Sequence, residues 1–397
     1  MTKLQTIAFV TPLLVNYDRK VAEGVARYIA NAPHLRLRLY HMVGFEPMPD
    51  RRRFDVDGVL GVFASKKELM SWKRRGIPVV NIGATVSGTP RVHVDDLQIG
   101  EMAAHYFLEH RHSNFLYVNC FPYSLDKSVE KPEVSVFDQE RQAGFRQGLK
   151  AATRDLETLT LDGRRLFSPT TWHKVLAELA EDLSRRPKPL AVFTMADSIG
   201  RFVLQACQLA NIAVPGDVAV VGVDNDELFC NSVEPPLSSI AQGEERLGWE
   251  AALLLDQILQ KKTAPDTIIR LDPLGLVERP SSAVTCGDPV IAAGLAHIRK
   301  NLTSTINLKA LAKQLNLSSR SFERRVTRTM GTSASELITR MRMDKARHLL
   351  ANTARPLKDV YADCGFASPE HFHRTFKRQF GVPPLAYRRQ NRRGLPI

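Results

Sequence analysis

A chain of 397 residues is longer than one ordinary core accommodates and calls for two or three domains. Hydrophobic residues make up 44%, which excludes compositional disorder. The net charge of +13 is concentrated in one place: residues 288–397 hold 21 Lys+Arg against 7 Asp+Glu, a net +14, while residues 1–287 hold 34 against 35. A block this basic attracts a polyanion, and nucleic acid comes ahead of a membrane surface because the sequence has neither a lipidation signal nor a long apolar helix.

The five cysteines (Cys120, Cys207, Cys230, Cys286 and Cys364) are odd in number and far apart. They form neither a disulfide framework nor a Cys-x-x-Cys metal site, and scattered thiols fit a cytoplasmic protein. Leu4–Val15 is mildly apolar, but Gln5, Thr6 and Pro12 interrupt it and no small-x-small cleavage site follows. It reads as a first strand and its loop rather than a signal peptide.

From the N-terminus, short apolar runs alternate with amphipathic stretches. Strands are expected over Leu4–Val10, Leu35–Val43, Val56–Phe63, Ile77–Ile82, Asn114–Asn119, Leu190–Thr194 and Val218–Val223. Helices are expected over Tyr17–Ala30, Lys66–Arg75, Leu97–Glu109, Gln139–Leu149, Thr171–Leu183, Ser198–Ala210 and Glu244–Lys261. This alternation points to parallel, doubly wound sheets, two of them in tandem at this length.

Ligands of such sheets sit at the carboxyl ends of strands. The residues there include Thr11 to Asp18 (with Tyr17), Asp95 and Asp96 after Arg91–Val94, Asp197, and Asp224 with Asn225; Arg141 opens a helix after a polar loop. Carboxylate, amide and guanidinium groups converging on one cleft suit a polyhydroxylated ligand, since a carboxylate accepts from two neighbouring hydroxyls and arginine donates in a fixed fork. Tyr17, Phe121, Tyr123 or Trp172 could cover the apolar face of a sugar ring. Turn formation and helix capping place Asp and Asn in the same loops without any ligand.

Pro280–Pro289 is rich in small residues and reads as a boundary between a ligand-sensing region, 1–280, and a basic region, 289–397, with 281–288 as linker. The basic region contains an internal repeat. Leu308–Gly331 overlays Leu357–Gly381, matching Phe322 with Phe372, Arg324 with Arg374 and Val326 with Phe376. Each unit has a short helix (Leu308–Leu315; Leu357–Cys364), a turn (Asn316–Leu317; Gly365–Phe366) and a second helix capped by Ser318 or Ser368. These are two helix-turn-helix units, 308–330 and 357–380. Between them Ser335–Ala351 is expected as a long helix that fixes their separation, so that both second helices can enter successive major grooves.

Helical period assigns the exposed faces. Arg320, Ser321, Arg324 and Arg328 lie toward DNA in the first unit, with Glu323 at the edge. In the second, Glu370, His371 and Arg374 point outward, with Lys377 and Arg378 placed for phosphates. A merely solvated charged face is the other reading, and two matched units on so basic a segment argue against it. His371 and His373 are two apart on a helix and face different directions, so no metal site is expected. The sequence has no phosphate loop, Gly-x-Ser-x-Gly elbow or metal-binding helix, and an enzyme is not expected.

Several motifs carry family resemblances. Arg141–Phe145, Ala191–Asp197, Asp217–Asp224, Pro236–Ile240 and Leu276–Arg279 resemble, in order, the segments of LacI-type sensor domains. That resemblance implies a two-lobed fold like the periplasmic sugar-binding proteins, with sugar contacts at Arg141, Asp224 and Asp197. Gly365–Ser368, Phe372, Phe376–Lys377, Phe380–Pro384 and Tyr387–Arg388 resemble the signature of AraC-type DNA-binding domains.

The combination is similar to bacterial xylose operon regulators, supported by Tyr17–Arg19, Glu23–Val25, Asp224–Asn225 and Ala241–Gly243. It implies a cytoplasmic homodimeric activator that binds D-xylose in the cleft, uses no cofactor, reads direct repeats in double-stranded DNA and engages RNA polymerase. A repressor, a sensor of another sugar, a sugar-processing enzyme and a transporter's solute-binding protein are the alternatives. The pair Asp95–Asp96 departs from the Asp–Asn of that pattern, and Phe121–Val136 has no counterpart in it.

Overall fold

In a computed structural model the chain divides into two compact units, Met1–Val284 and Thr285–Ile397. The structure describes residues 4–11, 16–41, 55–61, 63, 72, 74–83, 89–121, 135–149, 156–264, 266–283, 289–304, 306–330, 332–352 and 355–391. Most of the expected helix Lys66–Arg75, together with Tyr123 and most of the 281–288 linker, lies outside them.

The first unit contains two six-stranded sheets. One is parallel throughout, in the order β11 (Ile268–Leu271), β5 (Arg91–Val94), β4 (Val79–Ile82), β3 (Gly58–Gly61), β1 (Gln5–Thr11) and β2 (Leu35–His41). The other runs β12 (Gly275–Val277), β10 (Ser238–Ala241), β9 (Val218–Val223), β8 (Leu190–Thr194), β6 (Asn114–Phe121) and β7 (Glu157–Asp162), with only the β10–β12 pair antiparallel. Both faces of the first sheet are covered: Ile7 and Phe9 join one apolar cluster, Ala8 and Val10 another with Phe63 and Trp72. Continuous apolar strands follow from burial on both sides.

Helix α1 (Asn16–Ala30) follows β1, and the chain passes between lobes three times. It crosses from β5 into α2 (Asp96–Glu109), which packs on α3 (Val136–Leu149); from β10 into α8 (Glu244–Leu259), which packs on α1; and from β11 to β12. In the second lobe α4 (Gly163–Leu166), α5 (Trp172–Arg185), α6 (Asp197–Leu209) and α7 (Glu227–Asn231) complete the layers. β7, β10, β11 and β12 were not among the expected strands. β7 and β11 are edge strands with exposed positions, so their apolar signal is weak.

Each lobe is fastened by glycines. A Cβ on Gly144 of α3 would stand 1.9 Å from the Leu97 carbonyl oxygen of α2, and one on Gly100 would stand 2.1 Å from that of Arg141. In the other lobe, a Cβ on Gly24 of α1 would stand 2.0 Å from the Glu245 carbonyl oxygen of α8. Only glycine permits backbones this close.

Among its described residues the second unit is all α: α9 (Pro289–Lys300), α10 (Leu308–Gln314), α11 (Ser319–Met330), α12 (Ala334–Asn352), α13 (Leu357–Asp363), α14 (Pro369–Phe380) and α15 (Pro384–Asn391). It has two cores. Ile291, Leu295, Leu311, Phe322 and Val326 form the first with Leu337 and Ile338 of α12. Val360, Phe366, Phe372 and Phe376 form the second with Met343, Ala346 and Leu350 of the same helix. A single nineteen-residue helix therefore supplies side chains to both cores and fixes their separation. The two turns reverse through left-handed residues, Asn316 (φ 56°) and Gly365 (φ 74°), conformations that asparagine and glycine tolerate best.

Candidate functional site

The carboxyl ends of the strands in the first unit collect a polar cluster. Arg141, 4% exposed in the first turns of α3, donates from Nε to Asp96 Oδ1 at 2.8 Å and from Nη1 to the Met195 carbonyl at 2.5 Å. Its guanidinium lies 4.9 Å from the Phe137 ring centroid. Among the described residues Nη2 has no acceptor, which leaves both of its N–H groups for a ligand. Asp138, one turn back, accepts from Tyr117 Oη at 2.6 Å and Asn119 Nδ2 at 2.8 Å, so its carboxylate is committed to the lobe.

Asp224 and Asn225 form an elbow after β9, with φ of 109° and 50°. Its backbone is held at three successive N–H groups, donating to Ile240 O at 3.0 Å, Ser239 Oγ at 2.8 Å and, from Asp226, to Asp197 Oδ2 at 2.8 Å. Gln242 in the crossover after β10 donates to Asp224 Oδ1 at 2.5 Å. Asp197 is fully buried behind this elbow, where a Cβ on Gly222 would stand 2.2 Å from its Oδ1. It is therefore brought next to Asp224 but turned toward the loop's backbone.

Electrostatics tie the cluster together. Burial pushes Asp96 from 3.8 to about 6, against the pull of Arg141. Burial likewise raises Asp224 well above its ordinary value; Arg141 opposes this, while Asp197 and Glu244 reinforce it. Asp197 is pushed to about 7 by burial, offset by hydrogen bonds from Ser239 and the Asp226 N–H. Tyr17 is raised by burial and by the surrounding charges of Glu244, Asp96, Asp224 and Asp18. Burial lowers Arg141, but Asp96 and Asp224 overcome that effect and raise it above its ordinary value. Carboxylates thus outnumber cations around one tyrosine hydroxyl, a setting for a neutral ligand rich in hydroxyl donors and hostile to an anion.

The expected residues separate accordingly. Tyr17, Asp18, Arg141 and Asp224 come together. Asp95 does not join them: it caps α2 through the Gln98 N–H at 3.0 Å and pairs with Arg270 at 2.7 Å, and its neighbour Asp96 takes the place beside Arg141. Asn225 joins the elbow, but its side chain accepts from Arg279 at 2.7 Å. Gln242, Glu244 and Arg279 were not among the expected site residues. Gln242 sits inside the quoted Ala241–Gly243 motif, and a crossover between lobes is where such a residue is to be sought.

The second unit presents two matched helices. In α11, Phe322 and Val326 are buried while Arg320, Arg324 and Arg328 are exposed; Ser318 Oγ accepts from the Ser321 N–H at 3.1 Å. Glu323 accepts from the Ala334 N–H at 3.0 Å, so it caps the next helix. In α14, Phe372, Thr375 and Phe376 are buried while Glu370, His371, Arg374, Lys377 and Arg378 are exposed. Ser368 caps this helix, accepting from the His371 N–H at 3.3 Å, and its hydroxyl donates to Glu370 at 2.6 Å.

Two helix-turn-helix units on a basic unit, joined in sequence to a two-lobed unit, are the architecture of a DNA-binding regulator with a periplasmic-binding-protein-like sensor. The model of a periplasmic binding protein-like domain matches residues 104–282, and that of a helix-turn-helix domain matches 311–390. The chain is similar to the Xylose operon regulatory protein of Escherichia coli (strain K12), 27% identical over 383 residues and 94% of each chain. It is 25% identical to the protein of that name from Haemophilus influenzae, over 94% of this chain and 95% of the relative.

Among solved structures it resembles that of "xylose-binding transcription activator xylR", with a TM-score of 0.59, 25% identity and coverage of 98% and 99%. The fold of the first unit recurs in the cellobiose complex of the transcriptional regulator CelR, at a TM-score of 0.58 and 22% identity over 71% of this chain and 86% of that one. The chain is thus a DNA-binding, sugar-responsive transcription regulator. No described helix is long and apolar enough to cross a membrane.

Proposed function

We propose that the chain is a cytoplasmic activator of sugar-catabolism genes whose effector is D-xylose, bound between the two lobes of residues 1–280. The observation that carries this reading is the Arg141–Asp96 pair beside Asp224, with a guanidinium nitrogen left for ligand. Similarity over 94% of both chains to xylose operon regulators supports the choice of sugar. Tyr17 and Asp18 face the ligand from the first lobe, Arg141, Asp224 and Asn225 from the second; Asp197 acts from behind through the Asp226 N–H.

Residues 281–288 link this sensor to the reader, 289–397. Arg320, Arg324, Glu370, His371 and Arg374 read bases, Ser321 lies beside them, and Arg328, Lys377 and Arg378 hold phosphates. The chain acts as a homodimer on direct repeats and engages RNA polymerase, with no catalytic step. Sugar works by binding the active state more tightly than the inactive one.

Isothermal calorimetry against D-xylose, D-ribose, L-arabinose and D-glucose tests the effector. Saturable binding of D-xylose above the others is expected. Preference for another sugar moves the assignment to that sugar, a reading that Asp96 in place of the pattern's asparagine favours.

A further inference from the structure

The elbow at Asp224–Asn225 is an unfavourable conformation for two consecutive non-glycine residues, and such backbones persist only where the surroundings over-determine them. Its backbone donors are satisfied by Ile240, Ser239 and Asp197. The side chain of Asn225, 9% exposed, is held from a different part of the chain. Arg279 Nη2 donates to Asn225 Oδ1 at 2.7 Å, and Nη1 donates to the Leu237 carbonyl at 3.0 Å.

Arg279 lies just beyond β12, where the chain leaves the sensor, and that exit is itself stitched down. The Arg279 N–H donates to Ser238 Oγ at 2.7 Å, Ser282 Oγ donates to the same oxygen at 2.8 Å, and Ser281 Oγ donates to the Val220 carbonyl at 2.7 Å. Tyr106 of α2 donates to the Ser282 carbonyl at 3.1 Å.

We propose that Arg279 is a positioning residue for effector recognition: its guanidinium holds the Asp224–Asn225 elbow in shape and ties it to the segment 279–282 by which the chain leaves the sensor. This rests on the reading of Asp224 as an effector contact. A planar fork suits the task, since one end grips the elbow and the other grips Leu237 just before β10. A ligand that orders Asp224 orders the exit through the same guanidinium, and by reciprocity a fixed exit favours the ligand.

The test uses the full-length chain. Hydrogen exchange is followed without ligand in peptides covering 220–228 and 276–283, for the wild type, Arg279→Gln and Arg279→Lys. Faster exchange at both sites in Arg279→Gln is expected, with Arg279→Lys intermediate because an ammonium keeps the charge but not the fork. D-xylose affinity is then measured, and a fall on the order of tenfold is expected in Arg279→Gln, the worth of one charge-assisted hydrogen bond. Because Arg279 acts through Asn225, the Asn225→Ala/Arg279→Gln double variant is expected to bind no more weakly than the weaker single one. Wild-type exchange at 220–228 in both Arg279 variants, or additive losses in the double variant, overturns the proposal. Failure of the wild type to bind D-xylose overturns the effector reading alone, and the ligand-free exchange still decides the role of Arg279.

Discussion

The side-chain amide of Gln242 donates to Asp224 Oδ1 across 2.5 Å, joining the loop after β9 to a segment that passes between the lobes. One residue therefore belongs to the polar cluster at the strand ends and the other to the crossover after β10. Asp224→Ala is expected to weaken D-xylose binding by about 1–3 kcal/mol, because it leaves the buried partners of its carboxyl group unsatisfied. Gln242→Ala is expected to cost about 1 kcal/mol. Calorimetry at pH 7 measures both, and an unchanged affinity in Asp224→Ala refutes the placement of the site.

Asp96 provides a pH signature. Its folded pKa of about 6 exceeds the ordinary 3.8, so the folded protein holds this proton more tightly than the unfolded chain does. The resulting stabilisation is complete below about pH 4 and is lost as pH rises through about 6. In Asp96→Asn that contribution is absent. The stability of the wild type relative to the variant is thus expected to fall between pH 4 and pH 6, by up to about 3 kcal/mol. Urea unfolding of both proteins at four pH values checks this, and a constant difference across the window contradicts it.

Gly144→Ala places a methyl group where the Leu97 carbonyl stands, at 1.9 Å. The helices must separate, three residues from Arg141 and beside the turn that carries Asp96. A loss of stability of about 3 kcal/mol is expected from this overpacking, with weakened sugar binding in the protein that still folds. Thermal unfolding with and without D-xylose tests it; a wild-type melting temperature would show that the contact yields without cost.

On the reader, residue types separate two effects. Arg324→Ala and Arg374→Ala are expected to lose about 1–3 kcal/mol on the preferred DNA site and to relax specificity at one position each. Lys377→Ala and Arg378→Ala are expected to weaken all sequences alike and to lower the salt slope by about one each. Glu323→Ala serves as the contrast: its carboxylate caps α12, so stability falls while base preference stays. Binding titrations at several salt concentrations on a randomised DNA pool decide among these outcomes.

Helical periodicity carried the reader well. Phe322, Val326, Phe372 and Phe376 recur at a spacing of four and each is buried, and the serines before the second helices cap them. The bridging helix was also legible, because its apolar positions serve two cores in succession. The sensor was legible as alternating elements, but its edge strands were not: β7 alternates toward solvent with little apolar content. In the cleft, Asp95 and Asp96 are chemically identical in sequence, and only the helix phase decides which meets Arg141 and which meets Arg270. Arg279 was visible only as the end of a motif, since its partner Asn225 lies 54 positions earlier.

The glycine contacts, Gly24 against α8 and Gly100 against Gly144, have a bearing on how such a sensor diversifies. Each lobe has a spine with no room for variation, while the loops at its strand ends carry the polar groups. A lineage can therefore exchange rim residues, and with them the polar groups offered at the strand ends, without disturbing the helix packing beneath. Drift at the spine works the other way. It parts the helices that carry Arg141 and Asp96, so the packing of the lobe and the guanidinium–carboxylate pair at its strand ends are lost together.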